Sequence, residues 1–376
     1  MPWIIFICIT ASGLIILLFF YAFVYETTNF GLSEVNILIS DGRPDGRPGD
    51  SISAGSQPLP DNKRPGDLLQ RAYNGKSHEP AGEPVLTILH LSDFHLRRNF
   101  KGKKLFEFVK SLSRLEPDFI FITGDLLGSN NSMDSLIEML APLRAKLARY
   151  AVLGVHDHYD KAFVEFVKNM FKRKREYKKE NDIPYLVKRL KNIGIEVLMN
   201  EGRSFRPGGS RRGIDSIEII GLDDPVINKI DIDRAFSGNT LEHSYYRDLH
   251  LQDKSSYRRI YKDVFNPNKE KVHRINKKGK LRIGLIHTPD NDSIISLAGR
   301  NIDILFCGHT HGGQVRLPLI GAIVSGCKIK VKFASGLFYF KNMVLYVTRG
   351  LGEGKYSPFR FYCPPEASLV KIYKVN

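Results

Sequence analysis

Apolar and polar positions change rhythm several times along the chain, and each change predicts an element. Residues 3 to 25 carry no charge and run Trp3-Ile4-Ile5-Phe6-Ile7 through Leu17-Leu18-Phe19-Phe20. As a helix rising ~1.5 Å per residue, this stretch covers about 34 Å, enough to cross a hydrocarbon core of roughly 30 Å. It predicts a single-pass membrane anchor over 1–26. A cleaved signal peptide is the rival reading, but no Lys or Arg precedes the apolar run and no small-x-small site follows Phe20. From 27 to 84 the composition shifts to Gly, Pro, Ser and Asp, with a tandem repeat at Asp41-Gly42-Arg43-Pro44 and Asp45-Gly46-Arg47-Pro48. Such a stretch predicts a flexible tether that lets the rest of the chain rest on a bilayer or leave it. Beyond it, short apolar runs at 85–91, 119–123, 150–153, 281–286 and 302–306 predict strands, and stretches at 104–115, 132–147 and 293–299 predict helices between them. The result is one α/β domain over 85–376.

The residues that end those runs carry the chemistry. Asp93-Phe94-His95 follows the first run, Gly124-Asp125 the second, and Gly154-Val155-His156-Asp157 the third. His287 follows the fourth, and Gly308-His309-Thr310-His311 the fifth. Open α/β sheets place their sites at strand ends. Any one of these segments is a weak signal, because Asp-x-His and Gly-Asp arise easily by chance. Together they supply aspartates and histidines, the donors that suit Mn, Fe or Zn, rather than the cysteines of structural zinc. An in-line attack on a phosphate ester needs two cations, a ligand bridging them and a water acidified to hydroxide, and this ordered set describes such a centre. The bland reading, in which the same residues cap turns or pair with basic side chains, explains one Asp-x-His but not the whole series.

With those residues in view, the chain from about residue 85 to the end resembles the calcineurin-like metallophosphoesterases. The run Phe306-Cys307-Gly308-His309-Thr310-His311-Gly312-Gly313-Gln314-Val315-Arg316-Leu317-Pro318 is long and specific. The tail, from Leu345-Tyr346-Val347-Thr348-Arg349-Gly350-Leu351-Gly352 to Pro364-Pro365-Glu366, resembles that of the membrane-associated bacterial branch. The resemblance implies a four-layer fold, a central β-sandwich flanked by helices. It implies that Asp93, His95, Asp125 and His311 hold one divalent cation, and that Asp125 bridges to a second held by His287 and His309. Manganese is favoured among manganese, iron, zinc and magnesium. His156 stands where the family keeps a general acid that donates to the transition state or leaving oxygen. A metal-bound hydroxide would attack directly, with no covalent intermediate.

One position departs from the family motif Gly-Asn-His-Asp/Glu, where the asparagine carbonyl ligates the second metal. Here it is Val155, which offers nothing to a cation. Water, Asp157 or His158 would have to fill the gap, or that metal binds weakly. Among the other histidines, His90 reads as a core residue, and His78, His243, His250 and His273 read as solvated.

A formal net charge of +16 asks for an anionic partner. Its densest part, Lys172-Arg173-Lys174-Arg175 with Lys178-Lys179, lies beside apolar Phe163, Phe166, Val167, Met170 and Phe171 at helical spacing. A basic helical insertion over about 161–193 is thus a lid candidate, with cations for phosphates or headgroups. Lys172, Arg173, Arg97, Arg98 and Arg360 are the candidate substrate contacts. Nucleic acid is not expected, because no nucleic-acid module accompanies the charge and an anchor argues for lipid. The membrane branch and lid resemble the enzymes that cleave UDP-2,3-diacylglucosamine to UMP and 2,3-diacylglucosamine 1-phosphate in lipid A synthesis. A UDP-linked lipid favours the cytoplasmic face of a bacterial inner membrane. A general phosphodiesterase and a tethered binding protein impaired at Val155 are the alternatives. Cys8 lies in the anchor, while Cys307, Cys327 and Cys363 show no paired spacing, which fits a reducing compartment.

Overall fold

Two β-sheets face each other across a layer of aliphatic and aromatic side chains. The computed structural model describes residues 2–41, 82–160, 177–207, 213–237, 272–275, 279–340 and 343–375. One sheet has seven strands, in the order Glu196–Val197, Ala148–Val152, Phe119–Thr123, Leu86–Leu91, Glu366–Lys374, Gly31–Asp41 and Val272–Ile275. The other has six: Gly336–Phe340, Met343–Val347, Ile304–Cys307, Lys280–Leu285, Ser216–Gly221 and Glu201–Phe205.

Ile37, Ile88, Phe119 and Phe121 of the first sheet meet Ile217, Ile283, Phe306 and Val344 of the second in one buried cluster. The outer face of the first sheet packs on the helices Phe100–Ser111, Met133–Leu140 and Ile183–Asn192 through Leu89, Leu105, Leu136 and Leu186. The outer face of the second packs on the helices Asn291–Gly299 and Ile232–Ser237 through Leu305, Leu297 and Ala235. The architecture is therefore the four-layer sandwich, helix, sheet, sheet, helix. Strands buried on both faces explain why the runs at 85–91, 119–123 and 302–306 are mostly apolar instead of strictly alternating.

Three expectations change. The helix expected over 132–147 stops at Leu140, just before Pro142, which has no N–H to continue it, and the chain re-enters a strand at Ala148. The tether expected from residue 27 is interrupted: Gly31–Asp41 is a strand running parallel to Glu366–Lys374, in register from Gly31 opposite Glu366 to Ile39 opposite Lys374. Its inward residues, Ile37 and Ile39, are fully buried. The Gly- and Pro-rich part of the expected tether, 42–81, lies outside the described residues. His273, expected to be solvated, is buried on the strand Val272–Ile275, its Nε2 3.4 Å from Asp303 Oδ1.

The apolar N-terminal segment is a helix from Pro2 to Phe20 that continues through a wider turn, Tyr21–Tyr25, to Thr28. Over Trp3–Thr28 it is long and apolar enough to cross a membrane. Side chains 3 to 20 are exposed, whereas Ala22, Glu26 and Thr27 are buried against the domain. Arg360 N donates to Ala22 O at 3.0 Å and Cys363 N to Glu26 Oε1 at 2.6 Å. Tyr21 meets Phe361 edge-on at 5.7 Å, and Phe23 meets Phe359 at 5.0 Å. The helix is thus seated on the C-terminal loop, so the free swing expected of a tethered domain does not apply.

Candidate metal centre

Five strand ends and the loops that follow them converge at one edge of the two sheets. Leu86–Leu91 delivers Asp93 and His95, Phe119–Thr123 delivers Asp125, and Ala148–Val152 delivers His156. From the opposite sheet, Lys280–Leu285 delivers His287, and Ile304–Cys307 delivers His309 and His311. The site exists only because the sandwich brings these edges together. Ligand atoms of Asp93, His95 and His311 lie within 4.8 Å of one another, as do those of Asp125, His287 and His309, and of His95, Asp125 and His156.

Asp125 joins the groups. Its Oδ2 is 3.5 Å from His95 Nε2 and 3.2 Å from His287 Nε2. Its Oδ1 accepts from His156 N at 2.9 Å. Asp93 Oδ1 is 3.6 Å from His311 Nε2 and 4.0 Å from His287 Nε2.

The imidazoles are oriented from behind. His287 Nδ1 lies 2.6 Å from Thr123 O, and His311 Nδ1 lies 3.1 Å from Gly352 O. A ring nitrogen facing a carbonyl must carry the proton, so the Nε2 lone pairs of both rings point inward. There His311 Nε2 faces His95 Nε2 at 3.2 Å, and His287 Nε2 faces His309 Nδ1 at 3.3 Å. Inward lone pairs on His287 and His311, converging with the Asp93 and Asp125 carboxylates, fit a pair of divalent cations. The electrostatics agree. Burial would raise the Asp125 carboxyl, but His287, His156 and His95 outweigh it and hold it well below the usual carboxylate range. Burial would lower His287, yet Asp125, Asp93 and Asp224 hold it well above its ordinary value, so the pocket favours positive charge there. His311 is lowered to about 4, by burial first, with Asp93 opposing.

The backbone is bent to reach this arrangement. Asp93, His95, Asp125, His309 and His311 have φ of 54°, 41°, 54°, 68° and 49°, in the left-handed region. Such positions cost about 1 kcal/mol or more each and persist where neighbours over-determine them. Asp93 N donates to Gly124 O and His95 N to Asp125 O, both at 3.0 Å, and His309 N donates to both Asp93 oxygens. Gly308 and Gly154 are glycines for want of room. A Cβ on Gly308 would lie 1.9 Å from Ser92 Oγ, and one on Gly154 would lie 2.3 Å from Asp125 Oδ1.

Neither residue considered as a substitute for the missing asparagine is placed for that role. The Asp157 carboxylate accepts from the backbone N–H groups of Asp125, Leu126 and Gly154 at 2.7–2.9 Å, which makes it the clamp of two ligand loops. Burial and the Asp125 charge raise its carboxyl to about 6. His158 turns away to Asp223 Oδ1 at 2.7 Å and Lys229 Nζ at 3.2 Å. Val155 is fully buried.

The candidate substrate contacts fare differently. Arg97 is partly buried and lines a cleft with His95, Thr27, Phe30, Lys101 and Glu353, at the seat of the N-terminal helix. Arg98 is exposed. Arg360 does not reach substrate: it is fully buried, and Nη1 and Nη2 donate to the carbonyls of His311, Cys363, Arg349, Gly350 and Gly352. Lys172 and Arg173 lie outside the described residues, as does the first half of the expected lid, 161–176. In the remainder of the expected insertion, 177–193, the helix Ile183–Asn192 packs into the domain, with Leu186 and Leu190 buried. Supporting groups that sequence reasoning passed over are Ser92, whose Oγ donates to Asp93 Oδ2 at 2.7 Å, and the carbonyls of Thr123 and Gly352. A serine beside an aspartate is too common to stand out, and carbonyls leave no trace in a sequence.

Comparison with known proteins agrees with this geometry. The family model described as calcineurin-like phosphoesterase matches residues 86–313. The chain is 25% identical over 323 residues to the UDP-2,3-diacylglucosamine pyrophosphatase LpxG of Chlamydia trachomatis, covering 76% of this chain and 83% of that one. It is 24% identical over 302 residues to the uncharacterized metallophosphoesterase YkuE of Bacillus subtilis, covering 79% and 82%. A transmembrane protein with metallophosphoesterase domain from Bos taurus is 25% identical over 245 residues, covering 63% of this chain and 42% of that protein. A family match that begins at the strand before Asp93 and ends just past His311 takes in all seven of the converging residues, and the chain belongs to the calcineurin-like phosphoesterase family of hydrolases.

Proposed function

We propose that this protein is a membrane-anchored, dimetal hydrolase that cleaves the diphosphate of UDP-2,3-diacylglucosamine to give UMP and 2,3-diacylglucosamine 1-phosphate. The observation that carries the phosphoesterase reading is the pair of ligand groups meeting at Asp125. The substrate rests on similarity to LpxG and on an apolar helix whose end is seated beside the cleft that reaches His95. In this reading Asp93, His95, Asp125 and His311 would hold one cation, and Asp125, His287 and His309 the other. Two divalent ions, manganese foremost, would acidify a water and neutralise phosphate charge.

The remaining steps belong to the side chains. His156, edge-on to His95 with ring centroids 4.8 Å apart and fixed through its backbone N–H to Asp125, holds the proton passed to the leaving oxygen. Arg97 steers the diphosphate from the cleft, a task for which a planar guanidinium is suited. The domain lies on the cytoplasmic side, where UDP-linked substrates are made. The test is hydrolysis by the purified full chain with added manganese. Release of UMP from UDP-2,3-diacylglucosamine supports the substrate. Hydrolysis of a simple aryl phosphodiester alone would leave a general phosphodiesterase.

Val155 supports a second reading, a tethered binding protein with weakened turnover. Val155→Asn separates the two. An impaired enzyme should gain at least about tenfold in activity at limiting metal, comparable to the effect of other changes around metal ligands. Inactivity of both forms, despite two bound metals, favours the binding reading.

A further inference from the structure

Immediately after the ligand turn at His311, the chain forms a small hairpin, Arg316–Leu317 paired with Gly321–Ala322, that the metal centre does not use. Its side chains are the reverse of what a soluble surface carries. Leu317, Leu319, Ile320, Ile323 and Val324 are all exposed, Leu319 completely and Ile320 by 74%. Leu319 also sits at the tip with φ 68°, a left-handed conformation in which glycine or asparagine would be at ease and leucine is not. An apolar side chain kept in a strained, outward position points to an environment that rewards it.

The hairpin stands next to the membrane helix. Val315 bridges in parallel to Phe361, and Arg316 N donates to Phe361 O at 2.8 Å. Phe361 and Tyr362 are the residues that Tyr21 packs against, at 5.7 and 6.2 Å, where the exposed part of the helix gives way to the part seated on the domain. Tyr25 and Tyr362 are themselves partly exposed at this level, the aromatic composition expected of a membrane interface. Behind the hairpin the chain reads Lys328-Ile329-Lys330-Val331-Lys332, with Ile329 buried and the three lysines exposed. Gly321–Ala322 packs on the turn Val331–Phe333 that ends this run. An apolar tip rimmed by lysines suits a bilayer with anionic headgroups.

We infer that the hairpin 316–324 is a second membrane contact, which inserts Leu319 and Ile320 into the interfacial region of the bilayer carrying the N-terminal helix. The inference rests on the anchor reading above. Helix and hairpin together form two points of attachment, joined through the loop 358–363, and they set the height and tilt of the metal centre over the lipid surface. The attachment feeds directly into the site, because Arg316 Nη1 donates to Gly312 O at 3.0 Å, one residue past His311.

The chain contains a single tryptophan, Trp3, which makes the test direct. The full chain is reconstituted in vesicles of phosphatidylcholine and phosphatidylglycerol with brominated acyl chains, as wild type and as Trp3→Phe/Ile320→Trp. Bromine should quench Trp3 in the wild type and, more shallowly, the indole introduced at position 320, with a blue-shifted emission and protection from iodide. Water-like emission open to iodide at position 320, with Trp3 quenched, overturns the hairpin contact alone. Protection from iodide without bromine quenching also overturns it and assigns the hairpin to a protein interface. Unquenched Trp3 overturns the anchor and the hairpin contact together. Leu319→Asp/Ile320→Asp should leave hydrolysis of a soluble aryl phosphodiester unchanged while raising KM at least tenfold for vesicle-borne lipid substrate. An equal loss on both substrates would mean a purely structural role.

Discussion

Replacing Asp125 by asparagine is expected to lower kcat/KM by at least about a thousandfold and to reduce bound metal from two ions per chain toward one. A thousandfold is about 4 kcal/mol of transition-state stabilisation, modest for a carboxylate that serves both ions. Asp125 shares one candidate ligand group with His95 and another with His287, its Oδ2 lying 3.5 Å from His95 Nε2 and 3.2 Å from His287 Nε2. Asparagine keeps an acceptor for His156 N and nearly the same volume, so the loop should survive. What disappears is the negative charge that His287, His156 and His95 stabilise in a buried pocket. Metal content by elemental analysis and steady-state rates on the same preparation provide the check. Two tightly bound ions and more than a tenth of wild-type activity in the variant would show that Asp125 is not the bridge.

Arg360→Met is expected to destabilise the domain by about 3–5 kcal/mol, the range for removing one member of a buried charged network. Methionine roughly replaces the volume of the arginine but none of its donors. The carbonyls of His311, Cys363, Arg349, Gly350 and Gly352 would then be buried with fewer partners. Two of these matter for the site: His311 is a ligand candidate, and Gly352 O also receives His311 Nδ1. At ~2–4 °C per kcal/mol, the unfolding midpoint should fall by roughly 10 °C. Arg360→Lys should recover little, because an ammonium cannot serve carbonyls spread around a planar guanidinium. Thermal unfolding of the full chain in detergent measures both variants. A shift under 2 °C for Arg360→Met would mean that the loop rearranges without cost.

Arg360 also shows what kind of information a sequence withholds. In the chain it is one more arginine downstream of the ligand motifs, and phosphate binding is the natural guess. Its task is instead to gather carbonyl groups from 311, 349–352 and 363, and carbonyl positions follow from the folded backbone alone. Asp157 misleads in the same way. It stands two residues from a missing ligand, yet its carboxylate is already engaged by three backbone N–H groups. The strand Gly31–Asp41 was hidden for another reason. Its period-two signal, Val35, Ile37 and Ile39, is short and adjoins a long Gly- and Pro-rich segment, so composition over the whole window spoke for a tether.

The sequence by itself determined the five sandwich strands that deliver the site, the long apolar N-terminal helix and the order of the Asp and His segments. Each of these rests on local properties: runs of apolar side chains that only a buried strand or a bilayer can accommodate, and polar residues placed where those runs must turn. Only the tertiary structure decided which of those polar residues meet. The sandwich sets edges from two sheets side by side, so residues up to 218 positions apart, Asp93 and His311, become neighbours at 3.6 Å. It also decided that the apolar N-terminal helix is seated on the C-terminal loop, because that contact depends on Ala22 and Glu26 finding backbone partners more than 300 residues away. Proximity of that kind is a product of chain topology, and no local pattern of residues encodes it.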